Sequence, residues 1–229
     1  MSSNALDRAR EMWAVLTRVP AVFPERGGVS VVVAPESRLC PPGWAGVVVL
    51  DGGALASVPS SDLAEPLRDR LNGQSRLADL GPAASEVLGP ASLAYLDADD
   101  FTQAGAEAER LPAGHADVRA LLAAVPEAEA EECGLADATS TVFVSRVGRE
   151  VVAASAYSVV VGTGAHISVL TATAHRGRGL ARKVASAAVR DALGRGLLPQ
   201  WRARPEASKR VARALGFREY GEQISLRMD

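Results

Sequence analysis

Residues 169–181 read VLTATAHRGRGLA. An apolar run ends in a short loop, and the loop delivers Arg176, Gly177, Arg178 and Gly179 to the start of a helix predicted over Leu180–Leu193. Glycine at 177 and 179 removes side chains where an anion must approach the backbone, and it tolerates positive φ. Successive N–H groups then point into one small space, and the helix adds the positive end of its dipole. Arg176 and Arg178 offer charge-assisted hydrogen bonds. This layout suits a diphosphate. It is not a P-loop, which ends in Gly-Lys-Ser/Thr, and no acidic ribose partner stands where a dinucleotide-binding unit needs one. For the four residues alone, a plain glycine-rich turn is the competing reading.

Working outward, Thr141–Val147 and Glu150–Val161 read as adjacent strands joined by a turn at Gly148. A further turn at Gly162–Gly164 leads into Ala165–Leu170, which completes an antiparallel meander. Upstream, His115–Val125 has Val118, Leu121, Leu122 and Val125 at helical spacing, and Glu127–Cys133 is a second short helix after the Pro126 break. Downstream, the helix over Leu180–Leu193 turns Leu180, Val184, Ala188 and Leu193 inward. A strand at Leu197–Ala203 and a helix at Glu206–Leu215 follow, the latter with Pro205 in its first turn. From Phe217 on, Tyr220, Ile224, Leu226 and Met228 partly alternate. The pattern is α/β (α+β): a mixed sheet with helices on both faces.

The first half is less regular. A helix using Leu6, Met12, Trp13 and Leu16 opens it, and Val29–Ala34, Val47–Leu50, Leu55–Val58 and Leu93–Leu96 are strand-like. Ser61–Leu71 reads as a helix provided Pro66 falls in its first turn. The polar stretch Asp97–Gly114 is the expected boundary between two parts.

A length of 229 residues suits one large domain or two small ones, and 48% hydrophobic residues supply a core. The net charge of -2 argues against a broad nucleic-acid face. Charge is nonetheless uneven: Asp97, Asp99, Asp100, Glu107, Glu127 and Glu129 make the middle acidic, and Arg176, Arg178, Arg182 and Lys183 begin a basic region. Two cysteines, Cys40 and Cys133, make no disulfide framework, and three histidines make no zinc pattern. A reduced, cytoplasmic protein with no metal is expected. No apolar stretch reaches the ~20 residues of a membrane helix, and the opening MSSNALDRAREMW lacks a signal peptide's apolar core. No membrane partner is expected.

The second half resembles the GCN5-related N-acetyltransferase (GNAT) superfamily. That family's Arg/Gln-x-x-Gly-x-Gly/Ala motif is met by Arg176, Gly179 and Ala181, preceded by Val169-Leu170-Thr171 and His175. The resemblance continues through Trp201, Ala207-Ser208 and Leu215-Gly216-Phe217, and it covers about residues 115 to 229. It implies the acyl-CoA N-acyltransferase fold with acetyl-CoA as the cofactor. It implies pantetheine in an opening between the strand ending near Leu170 and the strand near Leu198–Arg202. The backbone of Val169, Leu170 and Thr171 would bond the pantetheine amides, and the N–H near Leu170 would stabilise the oxyanion. The N–H groups of Gly177, Arg178, Gly179, Leu180 and Ala181 would receive the pyrophosphate, with Arg176 and Arg178 as phosphate contacts. The implied division is an N-terminal α/β domain at 1–100, a degenerate relative or a substrate-binding domain, and an acetyltransferase domain at 101–229.

Acid–base chemistry is less defined. His166 lies on the strand before the cofactor-contacting backbone, where several family members carry a base, and its ordinary pKa suits proton removal. Glu131 and Glu132 are alternatives, because the second short helix borders the acceptor site in the family. Many members carry a tyrosine acid where this chain has Ala212, so that group is missing. Ser208 is the candidate to orient a water or the thiolate, with Tyr157 and Tyr220 not fixed by motif. A thiolate needs little help to leave, its reference pKa being only ~8.5. Arg204 stands where asparagine is common, and Trp201 reads as packing. The expected function is transfer of an acetyl group from acetyl-CoA to the amine of a small molecule or amino-acid derivative by direct attack. The alternatives are a catalytically impaired acyl-CoA-binding module and a protein acetyltransferase. The partner is then an amine acceptor, with room for a homodimer.

Overall fold

The computed structural model describes residues 4–73, 77–105 and 108–228, Ala83 by its main chain alone. Glu107 lies outside the described residues. The chain forms two compact units, Met1–Tyr95 with Arg202–Pro205 and Glu219–Asp229, and Leu96–Trp201 with Glu206–Arg218. The first unit thus recruits the end of the chain, which a single cut at 100/101 assigns to the other part.

In the first unit, α1 (Ala5–Leu16) starts where the Asn4 side chain accepts the Asp7 N–H at 3.0 Å. It buries Ala5, Ala9, Met12, Trp13 and Leu16, one face of a 3.6-residue repeat. Leu6, expected on that face, is half-buried. The strands β1 (Val29–Val33), β2 (Ala45–Leu50), β3 (Gly53–Val58), β4 (Glu86–Tyr95) and the last strand, β10 (Arg218–Arg227), run in the order β1-β3-β2-β10-β4. β10 pairs antiparallel with β2, which is why the chain end belongs here. α2 (Ala64–Gly73) begins later than Ser61 because a 3₁₀ turn occupies Ser61–Leu63, and this puts Pro66 in the first turn. β4 starts well before Leu93, since Gly89 and Pro90 read as breakers in sequence yet lie inside the strand. Val47, Val58, Leu67, Leu80, Ile224 and Leu226 form its core.

The second unit contains β5 (Glu109–Leu111), α3 (Ala116–Ala123), α4 (Glu127–Glu132), β6 (Val142–Val147), β7 (Glu150–Val160), β8 (Gly164–Thr171), α5 (Leu180–Gly194), β9 (Leu198–Ala203, its last two residues counted with the first unit) and α6 (Glu206–Ala214). The order is β9-β8-β7-β6-β5, antiparallel from β8 to β5 and parallel between β8 and β9. β5 is too short for periodicity to reveal.

Strand alternation puts α3 and α5 on opposite faces of this sheet. Ala154 and Ala156 of β7 join Leu170 against Val118 and Leu121 of α3. Tyr157, one position out of phase, hydrogen-bonds Asp191 of α5 at 2.7 Å. α5 buries Val184, Ala185, Ser186, Ala187, Ala188, Val189 and Ala192, while Leu180 and Leu193 are only half-buried. The difference from the sequence expectation follows from size: an alanine-rich helix lies close to the sheet and buries a broad stripe, leaving larger residues at its ends.

Candidate functional site

The register between β8 and β9 runs Gly164–Leu198, Ala165–Pro199 and His166–Gln200, then stops. β8 continues to Thr171 paired only with β7, as far as Ala153–Thr171. Backbone parity decides which groups this parting leaves open. The Leu198 N–H donates to Thr163 O at 2.8 Å, and the Ala172 N–H donates to Val152 O at 2.9 Å. In a regular strand the N–H and C=O of one residue face the same neighbour and alternate along the chain. Odd-numbered residues of β8 therefore face the β9 side and even-numbered ones face β7. Val169 and Thr171 present main-chain groups to the opening. Leu170 turns its N–H and C=O to the ladder with Ala154, so among the groups near Leu170 those of Val169 and Thr171 face the opening.

Beyond β8, a 3₁₀ turn at Thr173–His175 leads to Arg176. Gly177 and Gly179 have φ of 76° and 74°, a conformation that favours glycine. A Cβ at either position would meet nothing within 4 Å, so the space a side chain would fill is open. Gly179 is the N-cap of α5 and supplies no side-chain cap. The first-turn N–H groups of Leu180, Ala181 and Arg182 have no intrahelical acceptor. The residues present therefore fit a diphosphate.

The two loop arginines differ. Arg176 donates from Nε to the Thr171 carbonyl at 3.2 Å and pairs through Nη2 with Glu129 of α4. Arg178 is exposed and, among the described residues, makes no ion pair. Glu129 was not legible as a site residue: it is one of four glutamates in the run 127–132, and nothing local links it to position 176.

His166 and Ser168 share the side-chain face of β8 with Leu170, toward α3 and α4 rather than α5. His166 is half-buried and lies level with Ser158 and Gln200 on its neighbours. The Ser168 hydroxyl is buried without a hydrogen-bond partner among the described residues, as are the Thr171 hydroxyl and His175 Nδ1. Glu131 and Glu132 are exposed on α4. Cys133 beside them donates its thiol to the Ala130 carbonyl at 3.1 Å, and burial pushes its pKa up. His115 caps α3, its Nδ1 accepting the Asp117 N–H at 3.2 Å. Among the described residues no group of three or more His, Cys, Asp and Glu is placed to hold a metal ion. None of their helices is long and apolar enough to cross a membrane.

The arm formed by β9 and α6 is closed by packing. Trp201 is 3% exposed, meets the Phe217 ring edge-on at 5.4 Å, and donates its indole N–H to the Ser208 hydroxyl at 3.0 Å. Ser208 thus supports an aromatic cluster. Ala212 is the buried residue of α6, so a tyrosine would need room that this packing does not leave. Gly216 has φ 97°, and a Cβ there would stand 2.0 Å from the Asp100 carbonyl oxygen, which makes this glycine a packing requirement. Tyr157 is turned to Asp191 on the α5 face, and burial with that partner pushes its phenol up to about 12. Tyr220 packs beside Tyr95 within the first unit, ring centroids 6.2 Å apart. Arg202 and Arg204 are exposed while Trp201 and Ala203 are buried.

Two strands part beside a glycine loop in a mixed sheet of an α/β fold. Residues 141–223 match the model of the GNAT acetyltransferase family, and over that segment the chain is similar to it. No curated protein matches the sequence. Similar solved structures include a protein assigned to the GNAT acetyltransferases from Novosphingobium aromaticivorans, 19% identical with a TM-score of 0.48, covering 62% of this chain and 65% of that one. Another is an acetyltransferase of the GNAT family from Colwellia psychrerythraea, 15% identical with a TM-score of 0.49, covering 72% and 63%. A third is a GCN5-related N-acetyltransferase from Kribbella flavida, 16% identical with a TM-score of 0.48, covering 78% and 82%. The chain thus spans less than two thirds of the first two.

Proposed function

We propose that this protein transfers an acetyl group from acetyl-CoA to the amine of a small molecule or amino-acid derivative in the cytoplasm. The observation that carries the reading is the parting of β8 from β9 after His166–Gln200, directly before the Gly177–Ala181 loop. The open main chain at Val169 and Thr171 suits an extended, amide-bearing donor arm. The loop N–H groups suit its diphosphate. An N–H at Val169 or Thr171, rather than Leu170, is the group to receive the developing oxyanion. His166, directly or through water, takes the amine's proton, with Glu132 as the alternative base. Ser208 accepts the Trp201 N–H, and its own hydroxyl hydrogen is left to orient a water or the departing thiolate.

Incubation with acetyl-CoA and a panel of amines, peptides included, should release coenzyme A with at least one small amine. Modification of peptides alone would mark a protein acetyltransferase. His166→Ala should lower kcat by about 100-fold or more and alter the pH profile of kcat. An unchanged profile with normal kcat rejects His166 as the base. A second reading, an acyl-CoA-binding module without turnover, is favoured by one observation: α6 buries Ala212 where a proton-donating tyrosine is common in the family. Tight binding of coenzyme A with no thiol release across the panel would establish it.

A further inference from the structure

We infer that Glu129 is a positioning residue of the donor site, and that Arg176 is held by it as an internal clamp rather than as a phosphate contact. This rests on the reading of 176–181 as the donor loop.

Three contacts fix the clamp. Arg176 Nε donates to the carbonyl of Thr171, which faces the open edge of β8. Its Nη2 pairs with Glu129 of α4. Its own backbone N–H closes the turn onto Thr173 O at 3.4 Å. One side chain therefore ties the first residue of the loop to the end of β8 and to the helix on the other side of the sheet from α5. α4 is itself anchored: Ala130 and Cys133 pack against the core that includes Leu170, and the Cys133 N–H bonds Glu129 O at 3.0 Å. A loop whose two glycines have left-handed dihedrals has much conformational freedom to lose when it binds an anion. Fixing its first residue in advance reduces that cost. The guanidinium suits the task because its planar donors serve a carbonyl and a carboxylate at once, which a lysine cannot do.

Arg178 differs in each respect. It lies between the two glycines, is exposed, and among the described residues has no ion pair. It is the arginine free to meet a phosphate.

Neutralising a carboxylate near an anion site ordinarily strengthens anion binding by removing repulsion. The clamp reverses this sign. In calorimetric titrations with coenzyme A, Glu129→Gln should weaken binding by about 3- to 10-fold, the scale of an exposed charge pair and its hydrogen bonds. Arg176→Gln should cost a similar factor, and the double variant no more than the larger single effect. Neither should reduce the salt dependence of binding, whereas Arg178→Gln should weaken binding and flatten it. Arg176→Lys should not restore affinity. Tighter or unchanged binding by Glu129→Gln, or a flattened salt dependence in Arg176→Gln, overturns the proposal. With no ligand added, amide hydrogen exchange over residues 173–180 should rise in Glu129→Gln, and unchanged exchange overturns the clamp as well. Failure of the wild-type protein to bind coenzyme A would reject the donor reading, while the exchange measurement still decides the clamp.

Discussion

Two arms of the second unit leave the same parallel strand pair and end in opposite conditions. The β8–loop–α5 arm is open: main-chain groups of Val169 and Thr171 face the parted edge, and Gly177 and Gly179 leave side-chain space empty. The β9–α6 arm is closed: Trp201, Phe217, Ser208 and Ala212 use their surfaces and hydrogen-bonding capacity on one another. The first arm presents backbone and depends on conformation. The second contributes side chains and depends on packing. Donor binding and protein stability should therefore respond to different substitutions.

The contrast is tested most severely at Trp201. Trp201→Ala should destabilise the protein by about 3–5 kcal/mol, the usual cost of truncating a buried aromatic. Urea unfolding measures it, and a loss below about 1 kcal/mol would show that the closed arm is not packed as described. On the open arm, Gly179→Val should weaken coenzyme A binding by about 10- to 100-fold, since a β-branched residue resists φ near 74° and its side chain enters the empty space. Stability should change much less than in Trp201→Ala, and binding within twofold of wild type would remove the loop from the donor site. Ser208→Ala leaves the indole N–H unsatisfied and should cost about 1–3 kcal/mol of stability. A fall in kcat that exceeds any change in coenzyme A affinity would add chemistry to that packing role, and normal kcat would leave Ser208 structural. The smallest effect is expected at Tyr157, which belongs to neither arm. Its phenol lies at about 12 in the folded protein and ~10 when unfolded. A raised pKa gives stability that is full below pH ~10 and is lost as pH rises through about 12. Tyr157→Phe should be less stable than wild type at pH 8 by about 1 kcal/mol, with the gap closing toward pH 12. A gap that stays constant to that pH would show that ionisation of Tyr157 is not coupled to folding.

Legibility followed the distance over which each feature is determined. The meander over β6, β7 and β8 and the helix α5 were readable because alternation and helical spacing are properties of adjacent residues. The loop was readable because positive φ at 177 and 179 demands glycine where glycine stands. β5 and the start of β4 were not readable: three residues carry no period, and Gly89 with Pro90 signal a break that pairing overrides. Which of the N–H groups near Leu170 faces the opening was not readable, because apolar character does not reveal which way an N–H points. Ser208 looked like a free hydroxyl until Trp201 was brought to it. Glu129 carried no signal at all, since its partner stands 47 positions away.

By itself the sequence determined the strand, the glycine turn and the helix start, because they are consecutive and each is set by local backbone chemistry. It also determined that the usual tyrosine acid is absent, since Ala212 is a matter of identity. Only the tertiary structure decided how the open edge of β8 is presented. The pairing of β8 with β9 ends at His166–Gln200 through strand geometry. The assignment of β10 to the first unit depends on its ladder with β2. The division of roles between Arg176 and Arg178 depends on a carboxylate from another helix. These are contacts between residues far apart in the chain, and packing rather than local propensity brings them together.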